Sequence, residues 1–127
     1  MKQVPLIHAA IVCHDDCTYL RAVIGSLDVP ITVFVSRCAW GEQPEGDWKQ
    51  TEAIARSAGA EVVLGDWRTE DEQRKYAMVW ARQHAIDYLI IPDSDEVLSR
   101  ELLATLKKIA EAELADSVYC TMDTYWK

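Results

Sequence analysis

The chain has 127 residues, 50% hydrophobic and 27% charged, with a net charge of -8, which suits one domain (1–127) around one core. So acidic a balance argues against nucleic acid and anionic membrane as partners. No apolar run is long enough to form a transmembrane segment. Cys13, Cys17, Cys38 and Cys120 form no C-x-x-C pair and complete no zinc pattern. They are expected as reduced thiols, and with Met1-Lys2-Gln3 running straight into a strand-like segment the expected location is cytoplasmic.

In chain order, Leu6 to Cys13 is nearly continuous apolar sequence, as in a strand covered on both faces. His14-Asp15-Asp16 follows, and Leu20, Val23, Ile24 and Leu27 fall at helical spacing, with Asp15 or Asp16 able to cap that helix. Ile31 to Val35 reads as a second buried strand, and Ser36 to Trp48 as the longest loop. A helix starts near Asp47, with Gln50 completing a capping box and Gly59 closing it. Glu61 to Leu64 is a short third strand. Thr69-Glu70-Asp71-Glu72 caps a helix to about Ala85, whose stripe Tyr76, Ala77, Trp80 and His84 is expected to face the core. Ile86 to Ile91 is the fourth strand, Ser99 caps a last amphipathic helix, and Val118 to Tyr125 is a fifth strand.

Strand and helix alternate throughout, so the expected class is α/β: a mostly parallel sheet with helices on both faces. Ligands of such sheets bind beyond the carboxyl ends of the strands. Here those ends carry His14-Asp15-Asp16, Ser36-Arg37, Gly65-Asp66 and Asp93-Ser94-Asp95-Glu96. The last cluster places three carboxylates within four residues, a set that repels itself unless a cation sits among it. An acidic turn ahead of a helix explains the same residues without any ligand.

Three chemistries use such a rim. Asp93-Ser94-Asp95-Glu96-Val97 fits the D-x-D-x-[TV] pattern of haloacid-dehalogenase-like phosphatases, but too little chain follows to supply their downstream Lys and acidic pair. Asp15-Asp16 resembles a response-regulator receiver, whose fourth strand ends in Ser or Thr and not in an acidic cluster. The run Gly65-Asp66-Trp67-Arg68-Thr69-Glu70-Asp71-Glu72-Gln73-Arg74-Lys75-Tyr76-Ala77, followed by Asp93-Ser94-Asp95-Glu96, is a fuller match. With Trp40-Gly41-Glu42-Gln43-Pro44 and Thr51-Glu52-Ala53-Ile54-Ala55, it resembles the N-terminal, nucleotide-sugar-binding half of a family 2 glycosyltransferase with the GT-A fold.

That resemblance implies a Rossmann-like GT-A sheet truncated after the fifth strand. It implies a nucleotide-diphosphate sugar as ligand, a UDP-sugar first among them, with Mg²⁺ or Mn²⁺ as cofactor. Carried over by position, Asp95 would be the main metal ligand, and Asp93 would share the metal or contact the ribose. Arg74 would lie near the nucleotide, His14 to Asp16 around the base, and Ser36 and Arg37 at the base or ribose; Lys75 stands where the family has Asn. The family's acceptor site and catalytic base lie on a continuation beyond this chain. Nucleotide-sugar binding is therefore expected of it, catalysis is left open, and self-association over the edge beside Val118 to Tyr125 is expected. The alternative is a non-catalytic α/β binding or interaction module. Several local alternatives also stay open. Asp15 and Asp16 serve as well for helix caps as for ligands, and Arg74 can pair with Glu70 or Glu72. Trp40 and Trp48 can stack on a ligand or cover the sheet edge.

Overall fold

The computed structural model describes residues 5–15 and 18–114. The expected fifth strand, the edge beside it, and Asp16 all lie outside the described residues. The elements are β1 (Ile7–Cys13), α1 (Leu20–Ser26), β2 (Ile31–Ser36), α2 (Trp48–Ser57), β3 (Glu61–Gly65), α3 (Glu70–Gln83), β4 (Tyr88–Ile90) and α4 (Arg100–Glu111). The four strands form one all-parallel sheet in the order β3-β2-β1-β4. The class is α/β, compatible with a Rossmann-like arrangement.

The continuous apolar run of β1 is explained by a core on each side of it. Ala9, Ile11 and Cys13 join Val33 and Val35 against α1 and α2, where Leu20, Val23, Ile24 and Ala55 complete the cluster. Ala10 and Val12, on the alternate face, join Phe34 against Ala77, Trp80 and Ala81 of α3. At about 25 cal/mol per Å² of apolar area removed from water, these two faces supply the main driving force for folding. Leu98, ahead of α4, packs on the first cluster and donates its N–H to Ser26 Oγ at 3.2 Å, and Lys107 pairs with Asp28 at 2.7 Å.

The caps at Asp47, Thr69 and Ser99 form as expected, each side chain accepting from a backbone N–H in the first turn. Helix α1 differs. Its cap position is Tyr19, which makes no side-chain cap, so Asp15 is not its N-cap.

The stripe on α3 also differs. Ala77 and Trp80 are buried, but Tyr76 is 45% exposed and His84 lies outside, stacked on Trp80 with ring centroids 4.1 Å apart. The inward position near the start of the helix belongs to Gln73, which is fully buried.

Strand β4 is shorter than expected because Ala85 and Ile86 finish α3. The Ile86 N–H bonds Ala81 O (3.0 Å), the Ala85 N–H bonds Arg82 O (3.2 Å), and Ala85 takes a left-handed φ of 56°. Helix α2 ends the same way at Gly59 (φ 91°).

Candidate functional site

Register brings the strand ends level. Cys13 pairs with Val35 and Val35 with Leu64, so His14, Ser36 and Gly65 emerge side by side. On the other flank Ala9 pairs with Ile90. Val12, further along β1, and Asp93, beyond the end of β4, line the same cleft. In the strand order β3-β2-β1-β4, the chain steps outward from β1 to β3, then crosses back to place β4 on the opposite side of β1. The strand order therefore reverses between β1 and β4, and open parallel sheets hold their ligands in the crevice beyond such a point.

A cleft of about 380 Å³ occupies that crevice, within the range of small-molecule sites. Val12 and Asp15 reach it from the β1 end, and Asp93, Ser94 and Asp95 from the β4 end. Glu70 adds a fourth carboxylate from the start of α3, and Tyr19 and Trp40 add two aromatic rings.

The D-S-D-E sequence folds into a turn. The Glu96 N–H donates to Asp93 O at 3.1 Å, and Glu96 Oε1 accepts from the Asp93 N–H at 2.7 Å. Glu96 thus bonds back into its own turn while the three residues before it face the cleft. Partial burial, with the charges of Asp93 and Asp95, holds the Glu96 carboxyl above its ordinary pKa against the opposing backbone bond.

Arg74 bridges two of the cleft carboxylates. Its Nη2 donates to Glu70 Oε1 at 2.9 Å and closely to Asp93 Oδ1. Burial opposes its charge, but the hydrogen bonds to Glu70 and Asp93 outweigh that and raise its pKa. Arg74 therefore makes the pairing with Glu70 considered from sequence, and it also reaches Asp93 of the D-x-D cluster, a contact the sequence did not suggest.

Among the described residues, the expected nucleotide contacts His14, Ser36 and Arg37 lie on the β2–β3 side. His14 is buried; its Nδ1–H donates to Ser36 O at 2.6 Å, and its Nε2 accepts from the Gly46 N–H at 3.0 Å. Both ring nitrogens are thus committed to the protein, which fixes the neutral Nδ1–H tautomer. Ser36 is fully buried, and its Oγ contacts the carbonyls of Cys38 and Trp67, each at 2.8 Å, while accepting from both their N–H groups. Arg37 forks onto Asp66 at 3.0 and 3.1 Å in the open. Asp93, Asp95 and, through its ion pairs, Arg74 therefore meet at the cleft. His14, Ser36 and Arg37 instead secure the long loop and the β3 exit.

Sequence reasoning missed Glu70 as a cleft residue, because a carboxylate in the first turn of a helix is explained by the helix dipole alone. Gln73 was named within the family-like run but given no role. Its Nε2 donates to Phe34 O (2.6 Å) and Cys13 O (3.2 Å), and its Oε1 accepts from Trp40 Nε1–H at 2.9 Å. Trp40 therefore lines the cleft, whereas Trp48 packs on the α1–α2 core. Among the described residues no three His, Cys, Asp or Glu side chains converge to hold a metal by themselves, and no helix is long and apolar enough to cross a membrane.

No protein-family model, curated protein or solved structure matches the chain.

Proposed function

We propose that the chain is a glycosyltransferase-like domain of GT-A type that binds a nucleotide-diphosphate sugar in the cleft between the β1 and β4 ends, for transfer of the sugar to an acceptor. The observation that carries this reading is the coincidence of the D-x-D turn with the topological switch point. Asp93 and Asp95 line the crevice where an open parallel sheet takes its ligand.

The donor chemistry fits a divalent cation shared with the ligand. Asp93 and Asp95 offer hard carboxylate oxygens, and Mg²⁺ commonly takes only one or two carboxylates plus phosphate oxygens. Asp95 would be the main protein ligand, with Asp93 sharing it from its place against Arg74. When bound, a Mg²⁺ or Mn²⁺ ion supplies charge neutralisation for the leaving diphosphate.

The chain's own residues set the electrostatics of the cleft. Four carboxylates line it, so a diphosphate arriving without a cation meets net repulsion. Arg74 keeps Glu70 and Asp93 from repelling each other and holds them in place. The His14–Gly46 bond fixes the loop that carries Trp40 to the cleft wall.

Titration calorimetry of UDP and a UDP-sugar, with and without Mn²⁺, tests the proposal on wild type and Asp95→Ala. Metal-dependent binding that Asp95→Ala abolishes is expected, and absence of any nucleotide binding by the wild type would overturn the proposal. Transfer is measured separately, as release of sugar from the donor.

A further inference from the structure

Trp40 differs from three other tryptophans of the described fold. Trp48 packs on the α1–α2 cluster, while Trp67 and Trp80 belong to the α3 side and pair with Phe34. Trp40 belongs to neither cluster and instead forms part of the cleft wall. A large ring left only half-buried at a cleft wall gives up burial energy, so its fixed placement needs another explanation.

That placement is enforced from below. The indole N–H is held by Gln73 Oε1, and Gln73 is fully buried with its amide nitrogen on the carbonyls of Cys13 and Phe34. One side chain thus ties the ring to the ends of both central strands. The loop backbone is tied as well, with the Gly41 N–H bonded to Arg68 O at 2.7 Å. The ring is preorganised, and a preorganised wall loses little entropy when a ligand lies on it.

We propose that Trp40 is the stacking platform for the nucleobase and that Gln73 is the positioning residue that holds it; this rests on the nucleotide reading above. A nucleobase is uncharged and planar, so it can lie in an acidic cleft where a phosphate needs a cation. Stacking is tolerant of base identity, because every base offers a π-face. The platform therefore separates diphosphates that carry a base from those that do not, and discriminates weakly among bases.

The test is calorimetry in Mg²⁺ with UDP, GDP and inorganic pyrophosphate on wild type, Trp40→Leu, Trp40→Phe and Gln73→Met, each checked for folding by thermal melting. Trp40→Leu should weaken UDP and GDP about tenfold and leave pyrophosphate unchanged. Trp40→Phe and Gln73→Met, which keep a ring but cut its tether, should lose only a few-fold for the nucleotides. Tryptophan emission gives a measurement on the wild type itself: UDP should change it at concentrations where pyrophosphate does not. Unchanged UDP affinity in Trp40→Leu, or a parallel loss for pyrophosphate, would overturn the platform. Wild type that binds pyrophosphate as tightly as UDP would also overturn the platform while leaving a diphosphate site in place. Wild type that binds neither ligand would overturn the nucleotide reading and the platform with it.

Discussion

Replacing Gln73 with methionine removes a polar group from the centre of the sheet's exit edge while conserving chain length and approximate volume. The cavity term is then small, and the measured loss reports hydrogen bonding. Three groups lose a hydrogen bond: the carbonyls of Cys13 and Phe34, the latter still accepting from Cys13 Sγ, and the Trp40 indole N–H. A buried group left unpaired costs about 1–3 kcal/mol. Two effects reduce the sum, since each carbonyl keeps a second lone pair for other neighbours and the buried amide no longer has to be desolvated. The expected loss is about 3 kcal/mol, which lowers the urea midpoint by about 1.5 M for a slope near 2 kcal/mol/M. Trp40→Phe orphans only Gln73 Oε1 and should cost about 1 kcal/mol. Both variants cut the same bond, so the Trp40→Phe penalty should vanish in the Gln73→Met background. Gln73→Met within about 0.5 kcal/mol of wild type, or equal Trp40→Phe penalties in both backgrounds, would refute the clamp.

Other positions give independent checks. Ala85→Gly should stabilise the fold by about 1 kcal/mol in denaturant titration, because Ala85 holds a φ of 56° that glycine adopts freely. Burial, helped by His84 and opposed by Glu61, lowers the pKa of His8 below its ordinary 6.5. The unfolded chain therefore takes up the extra proton first. The His8 contribution is full above about pH 6.5 and is lost as pH falls through the folded value, so His8→Gln should flatten the decline of thermal midpoint between about pH 7 and 5. A Cβ at Gly46 would collide with Asp15, and Gly46 also donates to His14. Gly46→Ala should therefore lower stability by about 1–3 kcal/mol in urea and weaken nucleotide binding. Arg74 and its partners are 30–52% exposed, so Arg74→Gln should cost less than about 1 kcal/mol, and less still in high salt.

How legible the molecule was depended on the range of each signal. Strand and helix identities came from patterns a few residues long: the apolar run of Leu6 to Cys13, the caps at Asp47, Thr69 and Ser99, and the stop at Gly59. The start of β4 was placed too early, because alanine at Ala85 carries none of glycine's signal for a left-handed stop. Tyr76 and His84 share the helical period with Trp80, yet one lies beside the core and the other outside it. Polar Gln73 takes the buried place for which an apolar pattern offers no sign.

The sequence by itself determined that strand and helix alternate, that the strands run parallel, and that the polar strand ends therefore collect on one rim. Those conclusions need only periodicity and the handedness of crossover connections. The tertiary structure decided how that rim is divided. Strand order is set by which apolar faces pack across the sheet, and neighbouring residues do not encode it. Placing β4 beside β1 opens the cleft at Asp93 and Asp95. Placing β2 between β1 and β3 closes His14 and Ser36 into a hub that carries the loop. Gln73 then joins both halves by holding Trp40 at the cleft wall, a contact between residues 33 positions apart.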